Sequence, residues 1–191
     1  EKWIMVIILC GKSAAGKDYI CNELVKRGYP KIVTYTSRPM RKNEIQDQTY
    51  HFISKKEFEQ LINTGFFAEW RSYDSVDGKW YYGSSIDSYD TDKDSVIILN
   101  PEGFYQIKKY LNSDVIMSFY IYSNLETIKK RLNKRGGNKE ETARRITADL
   151  VDFKEFENEV DKVIYNNDGT DINEVVDRIL SYVNTRKANR E

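Results

Sequence analysis

The stretch Gly11-Lys12-Ser13-Ala14-Ala15-Gly16-Lys17 decides the fold of this 191-residue chain. It follows an apolar run, Trp3–Cys10, that predicts a buried strand, and it precedes Asp18–Arg27, which predicts a helix. A glycine-bounded loop ending in lysine, placed between a strand and a helix, is the pattern of a phosphate-binding loop. Gly11 and Gly16 permit backbone conformations that let N–H groups turn inward around phosphate oxygens.

The last residue of this loop and the residue that follows it are both charged. Lys17 is expected to reach the outer phosphates of a nucleoside triphosphate as a cation. The next residue is Asp18, where the loop pattern has a Ser or Thr whose hydroxyl touches Mg²⁺. A carboxylate is also a hard oxygen ligand, so Asp18 is a candidate ligand for Mg²⁺. The alternative is that Asp18 only stabilises the N-terminus of the following helix.

Composition narrows the class of protein. Acidic and basic residues balance at 30 each, which does not favour a general nucleic-acid binder. The apolar run Ile4–Leu9 is far too short to span a membrane, and no signal peptide is visible, so we expect a cytoplasmic protein. Cys10 and Cys21 are predicted to be buried thiols in a reducing compartment. His51 is the single histidine, which excludes a histidine-based metal site.

Strand and helix patterns alternate along most of the chain. Strands are predicted at Trp3–Cys10, Ile32–Thr36, Ser95–Asn100, Val115–Tyr122 and Lys162–Tyr165. Helices are predicted at Asp18–Arg27, Glu102–Leu111, Leu125–Lys134 and Ile172–Val183. This alternation predicts a parallel sheet with helices on both faces.

Residues 37–94 interrupt the alternation. Ser54 and Glu57 form a capping-box pattern that opens a short helix ending near Asn63. Strands are then predicted at Phe66–Tyr73 and Lys79–Ser84 around Asp77-Gly78, a dipeptide that favours a hairpin. A basic segment rich in helix formers follows at 131–149, and a polar, frayed tail is expected at 185–191.

Two arginines and a tyrosine in the inserted region indicate an anion site. Arg38 and Arg41 lie three residues apart, and Tyr50 follows them. Arginine offers a planar fork that matches phosphate oxygens, so these side chains can surround one phosphate. The alternative is that these side chains form a solvated charge cluster. That interpretation does not explain why Glu69-Trp70 and Tyr81-Tyr82-Gly83-Ser84 occur in the same region.

Taken in this order, the motifs resemble those of the guanylate kinase family over nearly the whole chain. The family combines a phosphate-binding loop with an arginine stretch, a Glu-Trp pair, a Tyr-Tyr-Gly-Ser/Thr stretch and an arginine-rich segment near Asn-Asp. The matching residues are Thr36-Ser37-Arg38, Arg41, Glu44, Tyr50, Glu69-Trp70, Tyr81-Tyr82-Gly83-Ser84, Arg131, Arg135, Arg144-Arg145 and Asn166-Asn167-Asp168.

The resemblance implies an α/β fold of the P-loop three-layer type in a single domain. It implies a core with a parallel sheet (1–36, 95–130 and 150–184), an inserted β-rich lobe for the monophosphate (37–94) and a helical lid (131–149). It also implies transfer of a phosphoryl group from ATP to a nucleoside monophosphate, with GMP or dGMP as the first candidate acceptor and Mg²⁺ as cofactor. Phosphoryl transfer depends on alignment and positive charge, which suits a chain with one histidine.

The resemblance also implies roles for individual residues. The acceptor would be held by Thr34, Arg38, Arg41, Tyr50, Glu69, Tyr82, Ser84 and Glu102. ATP would be held by the loop residues 11–17 and by Asp18, Arg131 and Asn167. The groups expected to act in catalysis are Lys17, Arg38, Arg135 and Arg145. Within the acceptor set, Glu69 would accept two hydrogen bonds from adjacent N–H groups of guanine.

One segment departs from the family pattern. The family has Ile-Leu-Asp-x-Asp-x-Gln-Gly after the strand near 95–100, and this chain has Ile98-Leu99-Asn100-Pro101-Glu102-Gly103. The first Asp, which lies near the metal, is Asn100 here, and Glu102 is the candidate for the second. Our hypothesis is that Asp18 supplies the carboxylate that is lost at Asn100.

Two other readings stay open from the sequence. One is a divergent kinase of the same fold that acts on another nucleotide, a deoxynucleotide or a sugar phosphate. The other is a catalytically inactive, peptide-binding guanylate-kinase-like module, although the intact Gly11, Gly16 and Lys17 argue against it. Expected partners are small-molecule nucleotides, with no nucleic acid and no membrane, and the oligomeric state is left open between monomer and homodimer.

Overall fold

The computed structural model describes residues 4–75, 77–90, 92–136 and 138–190, which form two four-stranded sheets and the helices around them. The strands are β1 (Val6–Cys10), β2 (Tyr35–Thr36), β3 (His51–Phe52), β4 (Phe67–Ser75), β5 (Gly78–Ser85), β6 (Ser95–Ile98), β7 (Ile116–Tyr122) and β8 (Lys162–Tyr165). The helices are α1 (Lys17–Lys26), α2 (Lys55–Asn63), α3 (Pro101–Tyr110), α4 (Leu125–Lys134), α5 (Lys139–Asp152) and α6 (Ile172–Ala188).

The first sheet is parallel and has the strand order β6-β1-β7-β8. Every residue of β1 is buried, as expected for a strand covered on both faces. One face packs against α1 and α6 through an apolar cluster that includes Leu24 and Ile179. The other face packs against α3 and the residues after α5 through Phe104 and Phe156. The predicted α/β class with a parallel core sheet is confirmed.

The second sheet has the order β3-β2-β5-β4 and is mixed. Its long antiparallel pair, β4 and β5, joins Ser75 to Gly78 in register, so the hairpin predicted at Asp77-Gly78 is confirmed. Helix α2 covers this sheet with Phe58, whose ring stacks on Phe67 at a centroid distance of 4.3 Å. The predicted capping box is present, because Ser54 and Glu57 each bond the other's backbone N–H.

Two predictions along the chain were wrong. The segment Ile32–Thr36 is not a strand of the core sheet: Lys31 makes an isolated bridge to Val96, and Tyr35–Thr36 then pairs with β3 and β5 in the second sheet. The boundary placed after residue 36 therefore assigns β2 to the wrong sheet, because a β-rich pattern predicts a strand but not its partner.

The predicted fraying of the tail from residue 185 was also wrong, since α6 runs to Ala188. Arg186 donates to Asp161 at 2.6 Å, and Lys187 donates to Asp94 at 2.6 Å. These ion pairs tie the last turns of the helix to the core sheet. Among the described residues, we find no helix with both the length and the apolar character needed to span a membrane.

Candidate active site

The loop between β1 and α1 lies at the carboxyl end of the parallel strands, where α/β sheets bind ligands. Its curvature depends on left-handed backbone at Ala14 (φ 60°) and Gly16 (φ 96°). The Lys17 ammonium turns back over the loop and donates to the carbonyl oxygens of Gly11 and Lys12, the latter at 2.8 Å. Burial lowers the pKa of Lys17, although Asp18 and Asp149 oppose this shift.

Two side chains support the loop from the protein interior. The Arg131 guanidinium donates to the carbonyl oxygen of Ala14 at 3.1 Å and to that of Asn166 at 3.0 Å. The Asn166 amide donates to the carbonyl oxygen of Ala15 at 2.8 Å. Arg131, predicted to contact ATP, thus binds the back of the loop and joins it to the residues that follow β8. A positive charge at this place also suits an anion held by the loop.

A carboxylate from α5 occupies the loop itself. The backbone N–H of Ser13 donates to Asp149 Oδ2 at 2.7 Å. Ser13 belongs to the set of loop N–H groups that are expected to bind phosphate oxygens. A protein carboxylate therefore already satisfies one of the donors of the predicted anion site.

The predicted lid arginines divide into two groups. Arg135 ends α4 and lies near enough to Lys17 to lower the pKa of that ammonium. Arg144 and Arg145 instead form ion pairs with Glu141 at 2.8 and 2.9 Å on the exposed face of α5. Arg135 thus lies within electrostatic range of Lys17, whereas Arg145 lies in a surface cluster.

The residues after β8 close the other side of the loop. Asn167 is half-buried, and its Oδ1 accepts from the backbone N–H of Asn124 at 2.8 Å. Asp168 pairs with Lys130 at the surface. Asn167 thus fixes the start of α4, and it remains a candidate ATP contact only through the part of its side chain that is exposed.

The predicted phosphate clamp lies in the second sheet. Arg38 is 4% exposed, and its guanidinium grips Glu44 with two hydrogen bonds of 3.0 and 2.6 Å. Its Nε donates to the Tyr82 hydroxyl at 3.2 Å, and its charge lies 5.5 Å from the ring centroid of Tyr50. Glu44 also accepts from the backbone N–H of Arg41 at 2.7 Å, and Arg41 is exposed. Arg38, Tyr50 and Tyr82 therefore lie together, and Glu44 links them to the backbone of Arg41.

The predicted base-reading carboxylate is fully buried. Glu69 is 0% exposed, and its Oε1 accepts from the Ser84 hydroxyl at 2.9 Å. Its Oε2 accepts from Arg71 Nη1, also at 2.9 Å. The Ser84 hydroxyl lies 2.7 Å from the Tyr89 hydroxyl, which extends the network. Thr34 is buried as well, at 6% exposure, and its backbone carbonyl accepts from His51 at 2.9 Å.

Helix α3 begins directly against this carboxylate. Asn100 caps the helix by accepting from the backbone N–H of Gly103 at 2.9 Å. A Cβ atom at Gly103 would stand 2.9 Å from Glu69 Oε2, so only glycine allows this approach. Glu102, predicted to contact the acceptor, is exposed on the first turn of the helix. The structure thus places Gly103 against Glu69, and contact of Glu102 with the acceptor stays a prediction.

A glutamine joins the second sheet to α3. Gln106 accepts from the backbone N–H of Trp70 at 3.0 Å and donates to its carbonyl oxygen at 2.7 Å. Both backbone groups of one residue are thus held by one side chain. This contact fixes β4 against α3 and so helps to hold Glu69 at the start of the helix.

Several of these residues were not singled out from the sequence: Arg71, Tyr89, Gly103, Gln106 and Asp149. One signal was available for Arg71. Residues i and i+2 of a strand point to the same face, so the position of Glu69 in β4 places Arg71 on the same face of the sheet. No comparable local signal exists for Asp149, which meets Ser13 from 136 positions away in the chain.

Comparison with known proteins matches this arrangement to one family. The family model described as Guanylate kinase matches residues 4–183. Guanylate kinase of Clostridium tetani is 31% identical over 188 residues, which cover 96% of this chain and 86% of that protein. Guanylate kinase of Mannheimia succiniciproducens is 33% identical over 171 residues, covering 85% and 80%. The crystal structure of guanylate kinase from Anaplasma phagocytophilum shares the fold, with a TM-score of 0.72 at 21% identity over 98% of this chain and 88% of that one. The chain belongs to the guanylate kinase family.

Proposed function

We propose that this protein transfers the terminal phosphoryl group of ATP to GMP, giving ADP and GDP. The observation that carries the proposal is the buried Glu69 carboxylate, which Ser84, Arg71 and the start of α3 hold in one position. A fixed carboxylate of this kind accepts hydrogen bonds from N1–H and N2–H of guanine, and adenine offers no such pair of donors. The names of the relatives agree with this acceptor.

The phosphate of GMP is assigned to the clamp formed by Arg38, Arg41, Tyr50 and Tyr82. Glu44 orients Arg38 through two hydrogen bonds, so the clamp keeps its shape without substrate. Burial lowers the pKa of Arg38, but Glu44 and Tyr82 raise it by more, so the side chain remains a cation. Arg41 is exposed and supplies a second positive charge to the same anion.

ATP is assigned to the loop between β1 and α1. Its backbone N–H groups and Lys17 would bind the phosphates, and Lys17 would exchange its contacts with Gly11 and Lys12 for phosphate oxygens. An oxygen of the GMP phosphate then attacks the terminal phosphorus of ATP, and the bond to the bridging oxygen of ADP breaks. The attacking oxygen of the GMP phosphate is ionised near neutral pH, so the site needs alignment and positive charge rather than a general base. Lys17, Arg38 and Arg135 are assigned to supply the charge.

Mg²⁺ is the proposed cofactor, bound together with the ATP phosphates. Asp18 lies exposed in the first turn of α1, next to Lys17, and its carboxylate is a suitable ligand. In the described part of the chain, no cluster of three or more His, Cys, Asp or Glu residues could hold a metal ion by itself. A single carboxylate fits Mg²⁺ that takes its other ligands from nucleotide phosphates and water, where the ion neutralises phosphate charge.

The proposal is tested by measuring ADP formation from Mg·ATP with each common nucleoside and deoxynucleoside monophosphate in turn. We expect turnover with GMP and dGMP and at least a hundredfold less with AMP, CMP or UMP. Comparable turnover with a pyrimidine or adenine nucleotide would contradict the role of Glu69. Retained ATP binding without turnover of any nucleotide would indicate another acceptor, such as a sugar phosphate, and loss of ATP binding would favour a binding module.

A further inference from the structure

Arg71 pairs with Glu69, and holding that carboxylate in position is the one role that the proposed reaction has given it so far. It is two residues after Glu69 on β4, and its side chain is 10% exposed. Its Nη1 donates to Glu69 Oε2 at 2.9 Å, and its Nε lies 3.3 Å from the Tyr73 hydroxyl. The guanidinium carbon lies 5.6 Å from the ring centroid of Tyr82, which is part of the phosphate clamp. Arg71 therefore lies between the base end and the phosphate end of the acceptor site.

Some N–H groups of the Arg71 guanidinium make no hydrogen bond within the protein. Arginine carries five N–H groups, and the contacts with Glu69 and Tyr73 engage only Nη1 and Nε. Nη2 has no hydrogen-bond partner among the residues that the structure describes. The second N–H of Nη1 is not engaged by them either. Neither nitrogen is a buried atom without a partner, a condition that among the described residues is met by Ser95 Oγ. The unused N–H groups are therefore accessible to water and can donate to a ligand atom.

The charge on Arg71 is stable. Burial lowers its pKa, but the Glu69 carboxylate and the Tyr73 hydroxyl raise it by more, so the net shift is upward. A buried ion pair often contributes little to the stability of a fold, because apolar residues in its place are frequently as stabilising or more so. Stability alone therefore does not explain why Glu69 and Arg71 form such a pair. A function in binding gives a reason for a charged pair at this position.

The order of donors and acceptors along this pair identifies the ligand edge. Reading from Ser84 towards Arg71, the pair presents Oε1 of Glu69 as an acceptor, Oε2 as an acceptor and Nη of Arg71 as a donor. Guanine presents N2–H₂, N1–H and O6 in that order, which is donor, donor and acceptor. Adenine has an N6–H₂ donor where guanine has O6, so its donor would face the donor of Arg71 and no hydrogen bond could form there. The array of the protein is complementary to guanine at all three positions.

We propose that Arg71 is a specificity-determining residue that donates a hydrogen bond to O6 of the guanine whose N1–H and N2–H bind Glu69. This inference rests on the proposed function, because it assigns a contact to the acceptor of that reaction. Arg71 also holds Glu69 in place, so loss of GMP activity in an Arg71 variant would not by itself separate the two roles. The test must therefore address the O6 atom.

The experiment compares kcat/KM for GMP, 6-thio-GMP and IMP in the unaltered protein and in Arg71→Met. Sulfur replaces O6 in 6-thio-GMP and is a weak acceptor, whereas IMP lacks only the N2 amino group. We expect the unaltered protein to prefer GMP over 6-thio-GMP by about 10- to 100-fold, the range of one charge-assisted hydrogen bond. In Arg71→Met this ratio should fall to within about threefold of one. The ratio of GMP to IMP should change much less, because N2 meets Glu69.

The matched control is Arg27→Met, which removes an arginine that pairs with Asp177 at the surface, between α1 and α6. It should leave both substrate ratios unchanged. Affinity for ATP, measured separately, reports whether each variant is folded. If Arg71→Met does not fold, a crystal structure of the unaltered protein with GMP decides the question. An Arg71 nitrogen within about 3.2 Å of O6 is expected there, and a separation too long for any hydrogen bond would overturn the proposal.

The outcomes separate this inference from the proposed function. If the unaltered protein does not use GMP, or uses AMP equally well, the proposed function fails and the inference falls with it. If the unaltered protein is specific for GMP but the ratio of GMP to 6-thio-GMP is the same in Arg71→Met, only the inference fails. Arg71 would then act on Glu69 or on the acceptor phosphate, and not on O6.

Discussion

Asp149 Oδ2 accepts a hydrogen bond from the backbone N–H of Ser13 at 2.7 Å. A carboxylate on α5 thus occupies part of the site that the loop offers to phosphate. The negative charge of Asp149 also opposes the downward shift in the pKa of Lys17 that burial causes. ATP must displace this carboxylate if its phosphates are to reach Ser13.

The first prediction follows from this competition. Asp149→Asn should lower the Kd for ATP about 3- to 10-fold, because the phosphates no longer displace or repel a charged group, a change of ~1 kcal/mol. Equilibrium titration with ATP measures the effect. Glu140→Gln, which removes a charge from the exposed first turn of the same helix, serves as the control and should change the Kd little. Weaker ATP binding in Asp149→Asn would instead show that Asp149 supports the loop.

The second prediction concerns Glu44 and pH. Hydrogen bonds from Arg38 hold the pKa of the Glu44 carboxyl below its ordinary value of 4.5. A carboxyl with a lower pKa in the folded state stabilises the fold fully above about pH 4.5 and loses this contribution as the pH falls through the folded pKa. Glu44→Gln should therefore lower the free energy of unfolding at pH 7 by about 1–3 kcal/mol.

The difference from the unaltered protein should narrow as the pH is lowered, and urea unfolding at a series of pH values measures it. Glu23→Gln, which removes the carboxylate of an exposed pair with Lys26, should change the stability by less than about 0.5 kcal/mol. A difference that stays constant down to the lowest pH at which the protein folds would show that the charge of Glu44 does not matter. The KM for GMP should also rise in Glu44→Gln, because Arg38 loses its support.

The third prediction tests the contact between α3 and the base pocket. Gly103→Ala places a Cβ atom 2.9 Å from Glu69 Oε2 and 3.3 Å from Asn100 Oδ1, so the carboxylate must move. We expect the KM for GMP to rise about tenfold or more, with the Kd for ATP unchanged. Alanine favours a helix over glycine by roughly 0.5–1 kcal/mol, so weakening of α3 itself is not expected. Lys109→Ala on the same helix is the control, and an unchanged KM in Gly103→Ala would contradict the assigned pocket.

The fourth prediction concerns the proposed metal ligand. If Asp18 supplies the carboxylate that Asn100 lacks, Asp18→Ser should weaken Mg²⁺ binding and raise the Mg²⁺ concentration at which activity is half-maximal. Adding Asn100→Asp should restore part of the loss, since an aspartate can still cap α3 through the contact with Gly103. Equal loss in the single and double variants would show that Asp18 acts only on the start of α1.

Local chemistry explains which features could be predicted from the sequence. The loop at 11–17 follows from glycine spacing between a strand and a helix, and the hairpin at Asp77-Gly78 follows from its turn residues. The capping box at Ser54 likewise depends on a spacing of three residues. Each of these patterns is complete within a few neighbouring positions. Their prediction therefore needs no knowledge of tertiary partners.

Long-range pairing explains which features could not be predicted. Tyr35–Thr36 pairs with strands of the second sheet, and the strand pattern alone does not identify them. The frayed tail was predicted from polar composition, but Arg186 finds Asp161 and fixes the end of α6. The approach of Gly103 to Glu69 was not predicted either, because it depends on how α3 packs against β4. In each case the missing information is the identity of a distant partner.

The central claim is that the buried Glu69 carboxylate selects guanine. The most direct measurement is kcat/KM for GMP and for AMP, with Mg·ATP, in the unaltered protein and in Glu69→Gln. The amide keeps the shape of the carboxylate but offers a single acceptor, so kcat/KM for GMP should fall at least a hundredfold while the Kd for ATP stays within about twofold. Preference for GMP over AMP should fall with it. Unchanged preference in Glu69→Gln would contradict the account.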